Sequence, residues 1–267
     1  MTALETRSSR DTYAYDTFTT DLIVSDLAFR RTDPGPGDTV PDFNLELLDS
    51  GRLTPTTLGP RPVLIIFGSL TCPVTESSGP VINDLHRRYG DRIRFVFVNT
   101  REAHPGDHLP QPRAIDAKRR RAADLRAHHG FGFEVAVDSI DGDFHRAMGP
   151  KPNSAYLLRP DGVIAYRAHW ANDGAGLERA LRALLDGTGI AGRSSAMVGP
   201  LLRAIGHLPG IGRRGGHKVM RDVWRAVPPF AILATLTRPL TFLPPDRRGP
   251  VVTVAITLVV ATALLAL

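Results

Sequence analysis

The sequence predicts an α/β domain: a mixed sheet flanked by helices, followed by a basic linker and a C-terminal transmembrane helix. Three observations carry this reading. Val63–Phe67 is a continuous apolar run, as a buried central strand requires. Helix-periodic and strand-like segments alternate after it. Late in the domain, Pro160-Asp161-Gly162 separates two short strands, a hairpin signal.

The elements follow in order. Residues 34–42 are turn-rich and open the domain. Phe43–Leu48 alternates like a half-buried strand and ends at Asp49-Ser50-Gly51. After Val63–Phe67, residues 73–89 place Val81, Ile82 and Leu85 at helical spacing, with Gly90 as a stop. Pro80 inside that stretch predicts a kink or a late helix start. Ile93–Val98 is a strand, and Arg113–His129 a charged helix with Ile115, Ala122 and Leu125 on one side. Its Lys118–Arg121 run reads as a solvated face. Val135–Val137, Ala155–Leu158 and Val163–Ala168 are strands, and Gly176–Leu185 is the last helix. A cysteine opening the first helix after a buried strand makes this look like the thioredoxin fold.

Composition narrows the setting. The chain has 267 residues and a formal charge of +6. Between Gly187 and Gly249 stand ten Lys or Arg against two Asp, so the excess is largely C-terminal. A single cysteine excludes an internal disulfide framework and a Cys-based zinc site, and it fits a reducing compartment. Residues 1–31 contain no apolar run, so no secretory signal is expected. Residues 250–267 are uncharged and almost wholly apolar. As a helix they would span about 27 Å, near the lower limit for a bilayer core. Arg247 and Arg248 precede them, which orients a single-pass anchor with the upstream domain cytoplasmic. The basic residues beside it would meet anionic lipid or form a flexible linker rich in glycine, as in His207–Gly212. The expected organisation is thus an extension (1–33), a catalytic domain (34–188), a basic juxtamembrane region (189–249) and an anchor (250–267).

The chemistry centres on Cys72. Pro73 suits a first helical position, which makes Cys72 the N-cap. There the helix dipole and free backbone N–H groups favour thiolate, the nucleophilic form. Glu76, one turn in, would oppose that shift if turned toward the sulfur. A dithiol reductase needs Cys-x-x-Cys, but the fourth position is Thr75. The peroxidatic pattern Pro-x-x-x-Thr-x-x-Cys is also absent, since Ile65 and Ser69 occupy its proline and threonine positions.

Phe67-Gly68-Ser69-Leu70-Thr71-Cys72-Pro73 resembles the iodothyronine deiodinase motif Phe-Gly-Ser-Cys-Thr-Sec-Pro-Pro, with Cys72 at the selenocysteine position. Glu102-Ala103-His104-Pro105-Gly106-Asp107 resembles that family's Glu-Ala-His-Pro-x-Asp segment, and Pro110-Gln111 with Arg113 resembles the stretch that follows. The likeness covers roughly residues 40–186. It implies a thioredoxin-fold reductase that removes iodine from an aromatic ring and is regenerated by an external thiol, with no bound cofactor or metal. Cys72 then takes the attacking position, Glu102 and His104 the proton relay, and Ser69 and Thr71 the supporting hydroxyls. Asn99 replaces the family's strand-end tyrosine, and Pro112 and Asn153 or Ser154 replace the histidine and arginine that clamp the iodothyronine there, so the resemblance does not carry over those two clamp residues.

Pro152 is the candidate for the cis-proline that faces the thiol in this fold. His128, His129 and His145 read as solvated, and His169-Trp170 as a pocket rim or packing. The expected partners are a small-molecule substrate, a thiol or thioredoxin-type reductant and membrane lipid, without nucleic acid and with a homodimer left open. Two other readings stand beside this one: a single-cysteine thiol peroxidase or disulfide reductase, and a membrane-tethered redox sensor or adaptor without turnover.

Overall fold

The computed structural model describes residues 13–19, 22, 26, 29–188, 203, 204, 207, 208, 210 and 211. Seven strands form one sheet: β1 (Leu45–Leu47), β2 (Arg52–Leu53), β3 (Val63–Gly68), β4 (Arg94–Asn99), β5 (Glu134–Val137), β6 (Ala155–Leu158) and β7 (Ile164–Ala168). They are accompanied by the helices α1 (Pro73–Tyr89), α2 (Ile115–His129), α3 (Asp143–Ala147) and α4 (Gly174–Leu185). The strand order is β2-β1-β5-β4-β3-β6-β7. β3, β4 and β5 are parallel, whereas β1 joins β5, β6 joins β3 and β7 joins β6 antiparallel. This is a mixed, thioredoxin-like sheet with flanking helices.

Alternation along the strands divides the core. Leu64 and Ile66 of β3, with Phe95 and Phe97 of β4, pack under Ile82 and Leu85 of α1, Leu125 of α2 and Leu177 and Leu181 of α4. Val63, Ile65 and Phe67 face the other way, against Phe43, Phe144, Tyr156 and Met148. Every residue of β3 is buried, which explains its unbroken apolar composition.

Several expectations are refined. The first strand is shorter than Phe43–Leu48 and pairs with β2, which the periodicity did not reveal. α1 starts at Pro73 and runs through Pro80, which lies on its exposed side, so the late start is overturned. There the missing N–H costs no buried partner. Ile115 is 40% exposed, while Ala122 and Leu125 are buried as expected. The hairpin turn forms with Gly162 at φ 81°, a conformation that favours glycine. α3 was not foreseen. Among the described residues no helix is long and apolar enough to cross a membrane, and the expected span at 250–267 lies outside them.

Candidate active site

The parallel strands β3 and β4 end side by side, and the turn after each supplies one half of the site. Gly68 pairs with Asn99 in register, so Ser69–Cys72 and Thr100–His104 leave the sheet together. Gly68 permits this approach. A Cβ there would stand 2.5 Å from both the Phe97 ring and Thr75 Oγ1. Beyond it, the Cys72 amide donates to Ser69 O at 3.2 Å, and Cys72 becomes the N-cap of α1 with φ −87° and ψ 120°.

Glu102 is fully buried and held on several sides. Its Oε2 accepts from the Thr71 amide (2.9 Å) and the Thr71 hydroxyl (2.7 Å). Gln111 clamps the Glu102 backbone, accepting from its amide at 2.9 Å and donating to its carbonyl at 2.7 Å. Arg121 Nη1 lies 3.6 Å from Oε1. Burial raises the Glu102 carboxyl above the usual range, with Arg121 and the Thr71 bonds opposing it.

His104 ties the same turn from its backbone, donating its amide to Thr71 Oγ1 at 3.1 Å. Its ring lies against Phe18, 4.2 Å between centroids, and burial lowers it to about 4. The imidazole is therefore neutral at pH 7, and its Nδ1 has no hydrogen-bond partner among the described residues. Ser69 Oγ accepts from the Ala103 amide at 3.1 Å, a second strut between the two turns. The turn carrying the sequence-predicted Ser69, Thr71 and Cys72 thus meets the turn carrying Glu102 and His104 beyond the ends of the central strands β3 and β4.

Cys72 departs from expectation. It is 1% exposed, enclosed with Val74, Ala103, Trp170 and Ala204. Desolvation pushes its thiol up to about 11. Hydrogen bonds from Thr75 and from the Val74 amide oppose that shift without overcoming it. The capping geometry is as expected, but in this covered arrangement burial wins and the sulfur is a thiol. Glu76 does not add to the shift, because its carboxylate turns to His128 Nε2 at 2.9 Å.

Pro152 is overturned as the cis residue, since no peptide bond in the described residues is cis. Its neighbour Asn153 does the local work. Asn153 Nδ2 donates to Phe67 O at 2.9 Å and reaches Thr75 Oγ1 at 3.3 Å, locking β6 to the start of α1. His145 is also corrected, being 1% exposed rather than solvated. Its ring stacks on Phe67, and its nitrogens meet the Tyr13 hydroxyl and Lys151 O, each at 2.8 Å. Lys118 is likewise not on a solvated face: it is 2% exposed, gives its ammonium to Ser139 O at 2.6 Å, and falls to about 8 through burial.

Sequence reasoning missed the cover over the site. Tyr15 donates its hydroxyl to Ala103 O at 2.8 Å, and Arg101 lies over the Tyr13 and Tyr15 rings while pairing with Asp26 at 3.2 Å. From the other end of the chain, Ala204 reaches Cys72, and Arg203 donates to Asn172 O at 3.0 Å. No sequence signal marks Ala204. Tyr13 and Tyr15 stand out only as aromatics in a polar segment.

The chain resembles a known protein over part of its length. It is 27% identical over 140 residues to a thyroxine 5-deiodinase from Sparus aurata, a match covering 48% of this chain and 52% of that protein. The chain thus spans about half the length of the curated relative it matches. No protein-family model matches. Among solved structures, a hypothetical protein from Sinorhizobium meliloti superposes with a TM-score of 0.50 at 17% identity, over 63% of this chain and 95% of that one. A thiol-disulfide oxidoreductase from Bacteroides fragilis gives 0.39 at 14% identity, over 49% and 89%. The structural likeness speaks to fold alone.

Proposed function

We propose that the protein is a thiol-dependent oxidoreductase of deiodinase-like chemistry, with Cys72 as nucleophile and Glu102 and His104 handling protons. One observation carries the reading: the Thr71 hydroxyl donates to Glu102 and accepts from the His104 amide, so the cysteine turn and the Glu-Ala-His turn are a single unit. The partial similarity to a thyroxine 5-deiodinase supports it.

The reaction balances as a reductive dehalogenation. Cys72 loses its proton, and the sulfur attacks the halogen of an aromatic iodide. The carbon–iodine bond breaks, sulfur takes the iodine as a sulfenyl iodide, and the carbon takes a proton. A neutral imidazole can accept the thiol proton, but with burial lowering His104 to about 4 and raising Cys72 to about 11 the transfer is uphill until the cover opens. Glu102, with its raised affinity for a proton, is suited to supply one. An external thiol then displaces iodide to give a mixed disulfide, and a second thiol releases Cys72 as the free thiol and leaves with the first as a disulfide. Since Cys72 is covered, substrate admission requires Trp170 or Ala204 to move aside. We propose further that residues 250–267 tether the domain to a membrane from its cytoplasmic side.

The test is a panel of iodothyronines, halotyrosines, hydrogen peroxide, an organic hydroperoxide and a disulfide, assayed with dithiothreitol against the Cys72→Ser variant. Cysteine-dependent iodide release supports dehalogenation. Turnover confined to peroxide or disulfide assigns the site to thiol peroxidase or disulfide reductase chemistry instead. A second reading, a non-enzymatic redox sensor, is favoured by the 1% exposure of Cys72. No turnover on the whole panel, with partner binding that follows the oxidation state of Cys72, would select it.

A further inference from the structure

We propose that Glu76, His128 and His129 form a binding site for a divalent transition-metal cation of borderline softness, such as Zn²⁺. One ligating atom from each of the three side chains lies within 4.8 Å of the other two. Two imidazoles and a carboxylate are a donor set that suits Zn²⁺, leaving further positions for water. The closest pair, Glu76 Oε2 and His128 Nε2, stands at 2.9 Å. Tetrahedral ligands at zinc distances lie about 3.4 Å apart, so this pair needs to open by only about half an ångström. His128, whose side chain is 37% exposed, can make that adjustment and gives the cation an approach from solvent.

The surroundings orient the ligands. Glu76 is 9% exposed and anchored in the first turn of α1. The His129 ring stacks on Phe131 at 5.1 Å with 22° between planes, and the His129 carbonyl accepts from Asn83 Nδ2 at 2.8 Å. Room for the imidazole comes from Gly79 within α1, where a Cβ would stand 2.6 Å from His129 Nδ1. A glycine inside a helix costs about 1 kcal/mol relative to alanine, and here its lack of a side chain is what admits the ring. His128 and His129 also end α2, where the last carbonyls and the negative end of the helix dipole favour a cation. The site needs nothing from the chemistry assigned to Cys72, although it lies one helical turn from it.

The experiment titrates Co²⁺, as a spectroscopic stand-in for Zn²⁺, into the untagged full-length protein and follows its visible d–d bands, with Zn²⁺ as competitor. One saturable equivalent is expected, displaced by Zn²⁺. Glu76→Gln and His129→Ala should each weaken binding more than tenfold, a reasonable floor since outer-shell changes alone cost about 10–100-fold. His128→Ala, at an exposed position, should weaken it similarly; its metal-free melting curve, lowered at most by the loss of the Glu76 bond, shows that the protein is still folded, so loss of folding does not explain the result. Cys72→Ser should bind as the wild type does. Absence of saturable binding below millimolar metal, or equal affinity in His128→Ala, or loss of the site in Cys72→Ser, would overturn the proposal.

Discussion

Thr71 donates twice to the same oxygen of Glu102, from its amide at 2.9 Å and from its hydroxyl at 2.7 Å. That hydroxyl also accepts from the His104 amide, so one side chain joins all three parts of the site. Thr71→Val keeps the volume and the amide bond but removes the hydroxyl. It should lower stability by about 1–3 kcal/mol, the cost of leaving buried polar partners unmatched. Thr71→Ser should restore most of that loss. Chemical denaturation of the three proteins, alongside Cys72-dependent turnover, tests this. Equal stability of Thr71→Val and wild type would mean that the bridge carries no energy.

Cys72 should behave as a covered thiol. With its thiol pushed up to about 11, alkylation should be slow at pH 7–9 and rise steeply above that range. Ala204→Gln places a larger neutral side chain where 1% exposure leaves no room, so it should displace that part of the cover. The midpoint should then fall toward the free-thiol value of about 8.5 or below it, as the helix N-terminus regains influence over desolvation. Iodoacetamide rates across pH 6–11 give the answer. A wild-type midpoint already below about 8 would show that the cover does not set the ionisation.

The pattern of what the sequence revealed has physical causes. β3, α1, β4 and the hairpin were readable because each has a strong local signature: a continuous apolar run, a Pro-started helix with a glycine stop, or a Pro-Asp-Gly turn. The meeting of the Cys72 turn with the Glu102–His104 turn followed from two motifs at parallel strand ends. The ionisation of Cys72 was not readable, because it depends on Trp170 and Ala204, which approach from distant parts of the chain. Lys118 and His145 were misread for the same reason. A charged residue in a polar stretch looks solvated until a partner such as Ser139 O or the Tyr13 hydroxyl is brought to it.

Stability should rise with pH through the range where His104 titrates. Its folded-state value of about 4 lies below the ordinary 6.5, so the unfolded chain binds more protons between those limits. Stability on this account is fully present above about 6.5 and is lost as pH falls toward 4, by up to about 3 kcal/mol. His145, lowered well below 6.5 by burial, acts in the same direction. Glu102 acts oppositely, because its raised value makes the folded state the better proton binder. Comparing wild type with His104→Gln isolates the His104 contribution. Urea unfolding at pH 5 and pH 7 should show a smaller difference in the variant, and identical pH dependence would sink the assignment.

Gly68→Ala should damage the site without touching any ionisable group. The added Cβ meets the Phe97 ring and Thr75 Oγ1 at 2.5 Å and Asn153 Nδ2 at 3.2 Å. Contacts that short force displacement in a close-packed interior, at a cost of about 1–3 kcal/mol. The strain falls on Thr75, which accepts from the Ser69 amide at 3.3 Å and stabilises the Cys72 thiolate. Two effects should therefore appear together: a lower melting temperature, and a Cys72 alkylation profile shifted to higher pH. Thr75→Val, which retains the volume but loses the hydroxyl, should reproduce the alkylation shift with a smaller loss of stability. If Gly68→Ala lowers stability while the alkylation profile stays unchanged, Gly68 serves the packing of β3 on β4 and does not position the sulfur.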